Sequence, residues 1–136
     1  MAKLNVGEVV SKTALFGIAG WVLENALCGD RYSALFRGNK VPFLPVYAVN
    51  GVVLTTVSPF IAKWPVFGKG MAYAALGTAV EYIGCQIDRK LLSQQASFNY
   101  GFGGKNDALA RVSEGCVNFT RSALWGGFGL VAERFK

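Results

Sequence analysis

The chain has 136 residues, 52% of them apolar and only 16% charged, with a mean hydropathy of +0.34. An apolar-rich, charge-poor chain of this length is neither disordered nor large enough for two ordinary domains. Its net charge of +6 comes from 14 scattered Lys and Arg with no dense basic run, which argues against nucleic acid, and the lack of histidine removes His triads and His metal sites.

Four stretches approach the length that crosses a bilayer, roughly 17–25 residues. The first, residues 9–27, follows Lys3, contains Lys12 and Glu24, and has no small-x-small cleavage site after it, so it reads as a retained helix and not a cleaved signal peptide. A basic loop follows, with Arg31, Arg37 and Lys40. The second stretch, residues 44–62, carries no charge and keeps Pro45 and Pro59 in its end turns, where proline is best tolerated. A Lys63-Trp64-Pro65 turn then sets a cation and an aromatic where a membrane interface would lie. The third stretch, residues 70–87, has Glu81 as its only charge and ends on Asp88-Arg89-Lys90. A long connection passes through Gly101-Phe102-Gly103-Gly104 and a short amphipathic piece, residues 107–112. The fourth stretch, residues 116–132, holds Arg121.

Period-two alternation is absent and small residues recur at helical spacing, so the expected fold is all-α. A soluble helical bundle is the competing reading, but four such stretches leave little polar face for water. The expectation is an integral membrane four-helix bundle occupying residues 1–136 as one transmembrane domain. Its orientation is undecided by charge. One side would carry Lys3, Lys12, Lys63, Lys69, Arg134 and Lys136, the other Arg31, Arg37, Lys40, Arg89, Lys90, Lys105 and Arg111.

The polar residues inside these stretches are the informative ones. With successive helices antiparallel, Glu24, Asn50, Glu81 and Arg121 fall in one layer, about 6–10 Å below one boundary at 1.5 Å per residue. Gly17 and Gly20 share the face of Glu24, and Ala74, Gly77 and Gly84 share that of Glu81. Small residues let helices approach closely in lipid, so both acids are expected at helix contacts, with Arg121 pairing them and Asn50 and Tyr47 as further hydrogen-bond partners. Such a layer could be an ion, proton or polar-solute site, or a network that fixes helix packing. Arg31, Arg37, Lys40, Trp64, Arg89 and Lys90 are expected at the lipid or partner interface.

Several features carry no chemistry. Cys28, Cys85 and Cys116 lack CxxC spacing and are odd in number, and read as small apolar residues outside any disulfide framework or metal site. The Gly101–Lys105 segment lacks the first glycine, the Ser/Thr and the preceding strand of a phosphate loop. The sequon at Asn118-Phe119-Thr120 lies too close to the bilayer for ready modification. Neither a catalytic set nor a cofactor site is expected.

Short motifs in order resemble one family. Gly20-Trp21-Val22-Leu23-Glu24 is similar to its G-W-x-x-E. Arg37-Gly38 with Pro42 to Gly51 resembles its glycine–proline–tyrosine–glycine entry to the second span. Glu81-Tyr82-Ile83-Gly84 is similar to its E-Y-x-x-G, and Ser122-Ala123-Leu124-Trp125-Gly126 to its S-L-x-W-G. The family is the small polytopic membrane proteins called ABC-transporter type IV, or CmpB-like. Its tryptophan–aspartate–tyrosine cluster is echoed only by Asn99-Tyr100, and Arg121 is outside its pattern. The resemblance implies a polytopic membrane protein with Glu24 and Glu81 as recurrent acids, and no defined activity. Two functions follow as expectations. One is a non-catalytic structural subunit of a larger membrane assembly, such as a multi-subunit complex or a membrane-containing virion. The other is a small permease for a cation, proton or polar solute. The expected partners are the bilayer of a cell, organelle or virion, and either other proteins or further copies of the chain.

Overall fold

The computed structural model describes residues 6–28, 44–91 and 107–134. Among these residues the fold is all-α: α1 (Val6–Cys28), α2 (Leu44–Ile61), α3 (Val66–Leu91), α4 (Ala108–Val112) and α5 (Phe119–Ala132), with no strand. The first and third helices contain the first and third expected stretches and extend beyond them, and α2 matches the second except for Ala62. The fourth expectation needs correction. Asn118 caps α5 by accepting the Arg121 N–H at 2.8 Å, so Cys116 to Asn118 lie outside the helix and α5 has 14 residues. At 1.5 Å per residue that is about 21 Å, short of a hydrocarbon core of about 30 Å. Among the described residues no helix is long and apolar enough to cross a membrane. Glu8, Lys12, Lys69 and Glu81 interrupt the longer apolar runs, and Asn50, Thr55, Thr56 and Ser58 interrupt α2.

The chain gathers into two compact units, Met1–Pro59 and Phe60–Lys136. In the first, α1 meets α2 through small residues. The Tyr47 ring occupies the space where a Cβ on Gly20 would stand, and Gly17 faces Ala48. A Cβ on Gly51 would come within 3.0 Å of Phe16 and of the Thr13 backbone. Polar side chains on these helices bond to their own helix one turn back. Thr13 Oγ1 donates to the Val9 carbonyl at 2.6 Å, Thr55 Oγ1 to Gly51 at 2.7 Å and Thr56 Oγ1 to Val52 at 2.8 Å. Lys12 reaches Glu8 at 2.6 Å. Pro59 has no N–H for the Thr55 carbonyl, and Ser58 Oγ donates to that oxygen at 3.2 Å in its place.

In the second unit α3 and α5 run antiparallel. The register follows from paired contacts. A Cβ on Gly129 would overlap the Tyr73 ring, one on Gly77 would overlap Trp125, and one on Gly126 would come within 2.8 Å of the Gly70 carbonyl oxygen. Each aromatic thus packs directly against a glycine of the facing helix, burying large apolar area at close backbone approach. The short α4 starts at Asp107, which accepts the Ala110 N–H at 2.9 Å. It ends in a left-handed turn with positive φ at Glu114 and Gly115. There the Gly115 N–H reaches back to the Ala110 carbonyl at 2.7 Å and the Glu114 N–H to Arg111 at 3.3 Å. This pair of bonds is a Schellman close. It turns the chain so that Cys116 faces α3.

Candidate functional site

The residues expected to form a polar layer divide between the units. The first contains Glu24, whose side chain lies outside the described residues, together with Asn50 and Tyr47. Asn50 is fully buried. Its Nδ2 donates to the Val46 carbonyl at 3.2 Å, while its Oδ1 accepts no hydrogen bond from any described residue. Native interiors leave few such acceptors, because each costs about 1–3 kcal/mol. Tyr47, expected as a hydrogen-bond partner, is 4% exposed, and its ring serves in packing against Gly20.

Glu81 and Arg121 belong to the second unit. Glu81 is 1% exposed, and Arg121 is half-buried in the first turn of α5. Thr78 Oγ1 lies 2.6 Å from Ser122 Oγ, one turn from Glu81 and one residue from Arg121, so the register brings the acid and the guanidinium to the same level of the helix pair. Of the small residues on this face, Gly77 lies beneath Trp125, Ala74 is beside Gly126, and Gly84 is half-buried.

Two clusters escaped sequence reasoning. The first corrects the reading of the cysteines as separate apolar residues. Cys85 and Cys116 form a disulfide, with Cα atoms 5.6 Å apart, and both are buried. They are 31 residues apart in sequence, and only the α3–α5 register and the turn before α5 bring them together. Beside the bond, Arg89 pairs with Glu114 at 3.1 Å and donates to the Glu114 carbonyl at 2.6 Å. Arg89 is therefore engaged within the fold, whereas Lys90 and Trp64 are exposed. Arg31, Arg37 and Lys40 lie outside the described residues, as do residues 92–106.

The second cluster closes the other end of the same helix pair. Glu133 accepts from Lys69 Nζ at 2.8 Å and from the hydroxyl of Tyr73, a side chain 1% exposed. The only sequence signal was a lone acid at the end of the fourth apolar stretch. At the start of α5, Asp107 accepts the Phe119 N–H at 3.0 Å as well as that of Ala110. These bonds, that of Ala110 foremost, hold its carboxyl below the ordinary aspartate range.

Each unit buries polar side chains beside its apolar core and leaves large apolar side chains exposed. Glu81 and Asn50 are inside, while Val10, Leu15 and Ile18 of α1 and Phe67, Met71, Ile83 and Ile87 of α3 face outward, Phe67 at 81% exposure. Among the described residues no group of His, Cys, Asp or Glu could hold a metal ion. The chain matches no known protein family, no curated protein and no solved structure.

Proposed function

We propose that the chain is a membrane-embedded, non-catalytic structural subunit of a larger membrane assembly. The observation that carries this reading is the exposure of many large apolar side chains while Glu81 and Asn50 are buried. A water-soluble domain keeps its large apolar residues inside, and contiguous exposed apolar faces mark surfaces covered by lipid or protein. Here Phe60, Phe67, Met71, Ile83 and Ile87 point out, while a carboxylate and an amide are buried. The hydroxyls of Thr13, Thr55 and Thr56 are bonded to their own helices, as an apolar surrounding requires.

In this reading Glu81 and Arg121 pair at their shared level and fix the α3–α5 packing, and Asn50 provides a polar point inside the first unit. In this reading the exposed apolar residues of α1, α3 and α5 are covered by lipid and by partner subunits. The resemblance to the CmpB-like family belongs to the same proposal and rests on the motifs around Glu24 and Glu81. A second reading, a small permease for a cation, proton or polar solute, is favoured by one observation, the buried carboxylate of Glu81 in a packed helix pair.

The test is extraction from the native source in mild detergent, then sizing and mass spectrometry of what co-migrates. Stoichiometric unrelated partners are expected. A homo-oligomer alone, with flux in liposomes abolished by Glu81→Gln, would replace the structural reading with the permease.

A further inference from the structure

We propose that the Cys85–Cys116 end of the α3–α5 pair faces an oxidising, extracytoplasmic compartment, with the Lys69–Glu133 end on the reducing side. As an orientation in a bilayer, this rests on the membrane reading above. The charge distribution leaves the orientation open, with six basic residues against seven, and the disulfide bears on it independently.

Structural disulfides form and persist in oxidising compartments, whereas cytosolic glutathione and thioredoxin keep thiols reduced. Both cysteines are buried, and the turn before α5 delivers Cys116 to within 5.6 Å of Cys85 between Cα atoms, so the pair is presented for bonding by the fold. The residues around it are of a water-facing kind. Glu114 has a side chain 80% exposed, and Arg89 reaches it from the last turn of α3. This end of the helix pair is therefore the one that meets an aqueous compartment where the bond can be made. The two thiols lose two protons and two electrons to a disulfide of a thiol oxidant, which is reduced to two thiols as the Cys85–Cys116 bond forms. Lys63 and Lys90, both exposed, flank α3 at opposite ends, so the inference assigns them to opposite sides.

The experiment uses the full chain carrying Cys28→Ser, expressed in bacteria with an intact extracytoplasmic thiol-oxidation pathway. Cells are acid-quenched, free thiols are blocked with N-ethylmaleimide, and the protein is reduced and labelled with a maleimide polymer. Two added labels are expected after reduction and none without it, and the shift should vanish in cells lacking the oxidation pathway. An impermeant amine reagent on intact cells should modify Lys90 and spare Lys63, as mapped by mass spectrometry, with both modified after permeabilisation. If the thiols are blocked before reduction, or Lys63 is modified and Lys90 spared, the inference is overturned, and retention of the chain in carbonate-washed membranes shows that the membrane reading survives. If carbonate releases the chain with the pair oxidised, the membrane reading fails while the assignment of this end to an oxidising compartment stands.

Discussion

In the first unit, side-chain packing holds α1 to α2, with Tyr47 on Gly20 and Ala48 against Gly17. The second unit uses the same device twice, Trp125 on Gly77 and Tyr73 on Gly129, and adds a disulfide at one end and the Lys69–Glu133–Tyr73 cluster at the other. Close packing of rings on glycines positions helices in both units. In the second the register is also fixed by bonds that specify which residue meets which. A slip of α5 along α3 would break a covalent bond, an ion pair and two ring contacts at once.

The largest effect that would break this contrast is removal of a ring from the second unit. Trp125→Ala should destabilise the fold by about 3–5 kcal/mol, the range for losing a buried large aromatic. Thermal unfolding in detergent measures it, and a loss no greater than that of an exposed Trp64→Ala control would show that the ring does not organise the helix pair.

Next comes the disulfide. Closing a loop of 31 residues constrains the unfolded chain by about 3.5 kcal/mol on the chain-entropy account. Cys85→Ser with Cys116→Ser should lower the unfolding midpoint accordingly, and reductant should shift the parent protein and leave the double variant unchanged. Gly20→Ala probes the first unit by driving a methyl into the Tyr47 ring, at a cost of about 1–3 kcal/mol for overpacking. Pairing it with Tyr47→Leu should recover part of that loss, and two independent, additive losses would mean that the residues do not meet.

A smaller effect is expected for Glu133→Gln, which keeps an acceptor for Tyr73 but removes the charge facing Lys69. Partly exposed ion pairs contribute roughly 0.2–1 kcal/mol, so a larger loss would show the cluster to be more than a register mark. The smallest effect is on pH. Asp107 binds its proton more weakly in the fold than in the unfolded chain, so its contribution is complete above the unfolded aspartate value of about 3.9 and is lost as pH falls through the lower folded value. Asp107→Asn should flatten that part of the acid unfolding profile, and an unchanged profile would remove Asp107 as its source.

Helix positions were legible where composition alone decides them. The uncharged run of α2 and the small-residue face of α3 follow from spacing, and Glu81 is buried as its glycine and alanine neighbours suggest. The start of α5 was legible in principle, since Asn118 is a strong N-cap residue, but reading the apolar stretch as one span carried the helix past it. The disulfide was hidden by sequence distance. Cys85 and Cys116 meet through the antiparallel register and the left-handed Glu114-Gly115 turn, and no local pattern encodes either. The pairing of Tyr73 with Gly129 and of Trp125 with Gly77 was hidden for the same reason, because each requires knowing which helix faces which and at what offset. Glu133 fell outside the expected polar layer because it belongs to the opposite end of the helix pair.

The ring-on-glycine contacts also constrain how this sequence can diverge. Positions 77 and 129 admit no side chain while Trp125 and Tyr73 keep their places, so neither member of a pair can change alone without loss. Descendants of this chain should vary at these sites in a correlated way, a larger residue at 77 arising with a smaller one at 125, and likewise at 129 with 73. Substitutions at position 127, where a Cβ would meet nothing within 4 Å, should accumulate without any such partner.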